Sequence, residues 1–177
     1  MKVLAFAGSN SSKSINHQLL GSIIKMFTRV EVELISLRNY EAPLYGIDIE
    51  ETNGFPDNTI ALKDKIIEAD AYLISTAEHN SSMPVVLKNC IDWLSRIERK
   101  VFMNKPMILL SCSPGGRGAQ TALKHLSEII PHQGANLIGS YSVANFYDKV
   151  KDGELVNEED ESSIKNLMMQ LEEELLS

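Results

Sequence analysis

Val3-Leu4-Ala5-Phe6-Ala7-Gly8-Ser9-Asn10-Ser11-Ser12-Lys13-Ser14-Ile15-Asn16 is the stretch from which the rest of the chain is best read. Its first five residues are apolar without interruption and short enough for a strand buried on both faces, as in a parallel sheet. Gly8 and a serine-rich segment end that strand. Ile15, Leu19, Leu20, Ile23, Ile24 and Phe27 then recur on one helical face. A strand, a loop of short hydroxyl side chains and a helix start make an anion site, because exposed amides donate and small side chains leave room. Gly8–Asn16 therefore reads as a phosphate-binding loop. It lacks the GxGxxG of a dinucleotide site and the GxxxxGK(S/T) of a P-loop.

The same reading extends along the chain. Val30–Leu37 alternates and is a second strand, whereas Tyr40–Asp57, with prolines and glycines but no period, is a long surface loop. Asn58 or Thr59 caps a helix to Glu68. Ala71–Thr76 is a third strand and Glu78–Ser82 a polar loop. Ser82 caps the next helix, Pro84 lies in its first turn, and Val86, Leu87, Cys90, Ile91 and Leu94 form its buried face. Pro106–Cys112 is a fourth strand, followed by the glycine-rich Ser113–Gly118 and a helix from Ala119 to about Ile130. Asn136–Val143 is a fifth strand, and the last helix starts near Asn157 with acids in its first turn. Strand and helix alternate throughout, which is the α/β class: one parallel sheet with helices on both faces. No linker or repeat interrupts it, so residues 1–177 read as a single domain.

Composition narrows the function. The chain is 44% hydrophobic and 23% charged, ordinary for a globular protein, and its net charge of −7 argues against nucleic acid as a partner. No apolar run approaches ~18 residues, so no membrane partner is expected. The apolar start runs straight into the serine loop without a cleavage region, so no signal peptide is read there and the cytoplasm is the expected location. Cys90 and Cys112 form no CxxC pair and read as reduced, buried thiols. His17, His79, His125 and His132 show no metal spacing, which removes a zinc site, and no serine sits in a GxSxG elbow, which argues against a hydrolase. Trp93 and the methionines read as core or interface.

Open α/β sheets bind ligands beyond the carboxyl ends of their strands. Three loops leave those ends here: Gly8–Ser14, Ala77–Ser82 and Ser113–Gly118. The second offers amides, an asparagine and an imidazole to a flat polar ring. Successive glycines in the third either let backbone approach a ligand or serve a turn needing positive φ.

Four segments carry a family resemblance. Gly8-Ser9, Ser14-Ile15-Asn16 resemble a GSxRxxSxN loop, and Ala69–Asn80 resembles "ADALLISTPEYN". Ser82–Trp93 is similar to "SIPGVLKNAIDW", and Lys105–Gly118 to "KPVALLSxSPGGRGG". Together they resemble the NADPH-dependent FMN reductases, flavodoxin-like proteins that include quinone, azo-dye and chromate reductases. The resemblance implies a five-stranded sheet of order 2-1-3-4-5. It also implies an FMN phosphate at Ser9, Ser11, Ser14 and Asn16 beside Ile15. The flavin ring would lie against Ala77, Glu78, His79, Asn80 and Ser81, with Ser113, Gly115 and Gly116 nearby. NADPH or NADH would be co-substrate, and a quinone, azo compound, metal oxyanion or free flavin the small-molecule electron acceptor. No metal and no obligate acid or base side chain is implied, and the assembly would be a homodimer or homotetramer. The rival readings are a flavodoxin-type electron carrier and a flavin-free interaction protein of the same fold. Two positions depart from the family pattern. Its loop arginine is Ser11 here, with Lys13 as the nearest replacement charge and weaker FMN retention as the consequence; its tyrosine is His79.

Overall fold

The computed structural model describes residues 1–177 and is built on a five-stranded parallel sheet of order β2-β1-β3-β4-β5, as expected. In chain order the elements are β1 (Lys2–Gly8), α1 (Ile15–Ile23), β2 (Glu31–Ser36), α2 (Ile47–Asn53), α3 (Asp57–Glu68), β3 (Ala71–Thr76), α4 (Val85–Ile97), β4 (Pro106–Cys112), α5 (Gln120–Ile129) and β5 (Asn136–Val143). A short α6 (Phe146–Lys149), a hairpin of β6 (Val150–Lys151) and β7 (Glu154–Leu155), and α7 (Glu158–Leu176) complete it.

The central strands are apolar on both faces because both faces are covered. Leu4, Phe6, Tyr72, Ile74, Met107 and Leu109 point toward α3, α4 and α5, where Leu62, Ile66, Leu87, Ile91, Leu94, Leu123 and Leu126 meet them. Val3, Ala5, Ala7, Leu73, Ile108 and Leu110 point the other way, under Leu19, Leu20 and Ile23 of α1 and Ile164, Met168 and Leu171 of α7. Strand order reverses between β1 and β3, and the pairings Gly8 with Thr76 and Thr76 with Ser111 bring the ends of β1, β3 and β4 level. The three loops therefore leave the sheet side by side.

Several boundaries differ from the sequence reading. The helix expected to reach Phe27 ends at Ile23 and continues as a 3-10 turn over Ile24–Met26. Tyr40–Asp57 is not all loop: it holds α2, framed by Gly46 and by Gly54 at φ +71°, and none of the α2 residues is buried. With no buried face it leaves no apolar period in the sequence. α3 starts at Asp57 with Pro56 in the capping position, and Thr59 is buried inside it rather than capping. Likewise Pro84, not Ser82, precedes the first residue of α4.

The Tyr40–Phe55 segment is fastened to α4 through Trp93. Its ring is fully buried, its Nε1 donates to the Pro43 carbonyl at 2.8 Å, and Tyr45 and Phe55 pack edge-on against it. Asn89, one turn earlier, accepts from the Tyr45 amide at 2.8 Å and donates to the Pro43 carbonyl.

Glu172 ties α7 to the α1–β2 connection, accepting from the Thr28 amide at 2.9 Å, the Arg29 amide at 2.8 Å and Arg29 Nε at 3.3 Å. Burial pushes its carboxyl up, but these donors outweigh it and hold it below the ordinary value of 4.5. A carboxyl lowered in the folded state contributes stability that is complete above 4.5 and is lost as pH falls through the folded value. Thermal melts of the native chain and Glu172→Gln should thus differ most at pH 7 and converge on acidification below about 4.5. A gap that stays constant with pH would contradict this.

Candidate active site

The first loop and the residues beside it enclose a cavity of about 250 Å³ lined by polar residues alone. Ser9, Ser11, Ser12 and Ser14 come from the loop, His17 and Gln18 from α1, Ser36 from the last position of β2 and Arg38 from the turn after it. Ser14 caps α1, its Oγ accepting from the His17 amide at 3.2 Å. Ser9 Oγ accepts from the Ser11 amide and Ser11 Oγ from the Lys13 amide, both at 3.2 Å. A hydroxyl has one hydrogen to donate and two lone pairs. These three serines use lone pairs inside the loop and keep their O–H donors for something else. Ser75, Ser111 and Ser142, by contrast, donate theirs within the chain.

Asn16 follows in the same loop but faces inward and is buried. Its Oδ1 accepts from Ser75 Oγ at 2.7 Å and the Cys112 amide at 3.0 Å, and its Nδ2 donates to the Cys112 carbonyl at 3.3 Å. The side chain expected at a phosphate is therefore a brace joining the loop to the ends of β3 and β4. Ile15 is half-buried at the first position of α1, against the cluster under that helix.

In the second loop His79 and Ser82 exchange backbone hydrogen bonds of 2.9 and 3.1 Å. Asn80 and Ser81 between them have φ of 50° and 64°. That is the mirror-image turn preferred in two-residue hairpins, and it explains why Ser82 is unavailable as a helix cap. The turn leaves His79, Asn80 and Ser81 exposed, with Ala77 and Glu78 half-buried behind it. Glu78 Oε2 accepts from the Ala122 amide at 3.0 Å in the first turn of α5, where the helix dipole favours an anion. This expected ring contact thus also ties the second loop to the helix that follows the third. His79 borders two larger cavities, of about 470 and 640 Å³. The first is also bordered by Asn10, Tyr40, Glu41, Pro84 and Cys90, so it spans the space between the first two loops and α4.

In the third loop the positive φ falls on Gly118, at +60°, whose carbonyl accepts from Ser111 Oγ at 2.7 Å and Ser142 Oγ at 2.8 Å. Gly115 and Gly116 have no such φ. A Cβ on Gly115 would meet nothing within 4 Å and one on Gly116 only Asn145 Oδ1 at 3.8 Å. They present bare backbone to open space, the arrangement a flat ligand needs for close approach. Ser113 and Gly115 carbonyls accept from the Phe146 and Asn145 amides, each at 3.0 Å. Ser113, Gly115 and Gly116 border none of the three cavities named above.

No group of His, Cys, Asp or Glu is placed to hold a metal ion. Burial favours the protonated form of both thiols, raising Cys112 well above its usual range and pushing Cys90 up to about 12. No helix is long and apolar enough to cross a membrane.

A family model for NADPH-dependent FMN reductases matches residues 1–148. The chain belongs to the NADPH-dependent FMN reductase family. It is 37% identical to an NAD(P)H-dependent FMN reductase of Pseudomonas aeruginosa over 131 residues, 73% of this chain and 69% of the relative. A 2-hydroxy-1,4-benzoquinone reductase of a Burkholderia species is 30% identical over 176 residues, covering 95% and 92%. Among solved structures, a flavoenzyme NAD(P)H:(acceptor) oxidoreductase of Paracoccus denitrificans superposes with a TM-score of 0.76 at 26% identity, covering 98% of this chain and 94% of that one. Membership makes this reductase an oxidoreductase that uses FMN and NAD(P)H rather than an electron carrier or a flavin-free protein. Its residues fit that cofactor. Spare hydroxyl donors stand at a helix start, and the bare Gly115–Gly116 backbone leaves space a side chain would fill.

The sequence reading did not find His17, Gln18, Ser36, Arg38 or Tyr40. Ser36 is the carboxyl end of β2 and Arg38 follows it, and the rule that singled out the loops of β1, β3 and β4 applies there equally.

Proposed function

We propose that residues 1–177 form one FMN-binding unit that oxidises NAD(P)H and reduces a quinone. The observation that carries this is the hydroxyl-lined cavity at the start of α1, beside a larger cavity bordered by Asn10 and His79. In this reading Ser9, Ser11 and Ser14 donate their free O–H hydrogens to the FMN phosphate, and the first amides of α1 add to them. Asn16 holds the loop in place from below. Ala77 to Ser81 and the Ser113–Gly116 backbone flank the ring, with Glu78 keeping the two segments together through Ala122. FMN, when bound, supplies the two-electron chemistry between nicotinamide and acceptor. The protein positions it and sets access, and no side chain is assigned as acid or base. Quinone is chosen as acceptor because relatives of Escherichia coli and Burkholderia are named quinone reductases.

The two free thiols support a reducing compartment, and we place the protein in the cytoplasm. Leu44 and Val85, 68% and 66% exposed at the rim of the larger cavities, support a homo-oligomer that covers them.

Purified protein mixed with FMN, NADPH or NADH, and benzoquinone tests the function. Steady coenzyme oxidation that needs protein, FMN and quinone together is expected. Tight FMN binding without turnover of either coenzyme would refute the proposed reaction.

A further inference from the structure

We propose that Arg38 supplies the positive charge that holds the FMN phosphate in this chain, from the β2 side of the cavity rather than from the serine loop. The inference rests on the FMN reading above. Its footing is the cavity at the start of α1, which no Asp or Glu borders although the chain has 24 acidic and 17 basic residues. Among the bordering residues Arg38 is the permanent cation; Lys13, within the loop itself, does not border the cavity.

Arg38 is exposed, and its guanidinium has neither an ion pair nor a hydrogen-bond partner. Arg29 and Arg96, in contrast, are taken up by Glu172 and Glu50. Its backbone is nevertheless fixed. The preceding Leu37 is fully buried, and the Arg38 amide donates to Ser36 Oγ at 3.4 Å in the 3-10 turn Leu37–Tyr40. Sheet register sets the address, since Ala7 pairs with Ser36 and two residues further on in each segment stand Ser9 and Arg38.

The chemistry leaves a place for such a group. A phosphate monoester carries close to two negative charges, while serine hydroxyls and amides donate hydrogen bonds without net charge. A guanidinium adds both charge and a planar pair of donors matched to phosphate oxygens. Ser11 stands where the resembling loop pattern has arginine, so the charge has to come from elsewhere.

Titration of the native chain, Arg38→Ala, Arg38→Lys and the double variant Arg38→Ala/Ser11→Arg with FMN and with riboflavin, which lacks the phosphate, tests this. Arg38→Ala should weaken FMN about ten- to a hundredfold and leave riboflavin unchanged. Lysine should restore part of the loss, and Ser11→Arg should restore FMN by returning a cation from the opposite wall. Inorganic phosphate should compete with FMN but not with riboflavin in the native chain. Because the Arg38 guanidinium makes no internal ion pair or hydrogen bond, Arg38→Ala and Arg38→Lys should melt like the native chain; Arg38→Gln replaces alanine if that one does not. An unchanged ratio of FMN to riboflavin affinity in Arg38→Ala would overturn the assignment while leaving the functional reading intact. So would a loss confined to NADPH over NADH, which would give Arg38 to the coenzyme's phosphate. A native chain that binds neither flavin would overturn both.

Discussion

Asn16→Ala is expected to lower the unfolding free energy by roughly 3–5 kcal/mol and to abolish tight FMN binding at the same time. The side chain does not border the phosphate cavity, so the second effect is indirect. Removing it strands the Ser75 hydroxyl, the Cys112 amide and the Cys112 carbonyl in a buried place, where each unmet polar group costs about 1–3 kcal/mol. It also releases the serine loop from the ends of β3 and β4. Urea unfolding of the apoprotein gives the first quantity and flavin titration of the still-folded fraction the second. Asn16→Ala that is as stable as the native chain would show that the brace is unimportant. A stable variant with lost FMN would make Asn16 a direct ligand instead.

Gly118→Ala should cost about 2–4 kcal/mol, for two separable reasons. Its φ of +60° is disfavoured for any residue with a Cβ. The added carbon would also lie 2.1 Å from Ser142 Oγ and 3.2 Å from the Ala144 amide. Ser142→Ala removes the hydroxyl part of that clash but forfeits its bond to the Gly118 carbonyl. In a double-mutant cycle Gly118→Ala should therefore be less damaging in the Ser142→Ala background, with the residual loss reporting backbone strain and the Ala144 contact. Equal losses in the two backgrounds would place the whole cost in the backbone. Since Gly118 closes the loop that presents Gly115 and Gly116, the same variant should also weaken flavin binding.

What could be read from the sequence follows from where the information lies. β3 and β4 are legible to the residue because a short apolar run, bounded by Asp70 or opened by Pro106 on one side and followed by polar loop on the other, has few alternatives. The loops at the strand ends were legible for the same reason. α2 was not, since an exposed helix buries nothing and leaves no pattern. The start of α4 was misplaced because Ser82, a good cap by composition, is committed to the turn with His79. Roles within the site were harder still. Glu78 meets Ala122 across 44 residues and Asn16 meets Cys112 across 96, distances over which no local spacing carries a signal. Arg38 follows a strand end that the same rule covers, but the Ala7–Ser36 register that sets it level with Ser9 exists only once the sheet is assembled.

Trp93 is the chain's single tryptophan. Its indole clasps the Tyr40–Phe55 segment onto α4, and the first turn of that helix borders the largest space next to the first loop. The protein thus carries a built-in optical reporter. Tryptophan emission overlaps flavin absorption, so ultraviolet fluorescence follows cofactor arrival without a label. The same signal senses any loosening of that wall, and excitation at the red edge, where the five tyrosines do not absorb, leaves one tryptophan as its source.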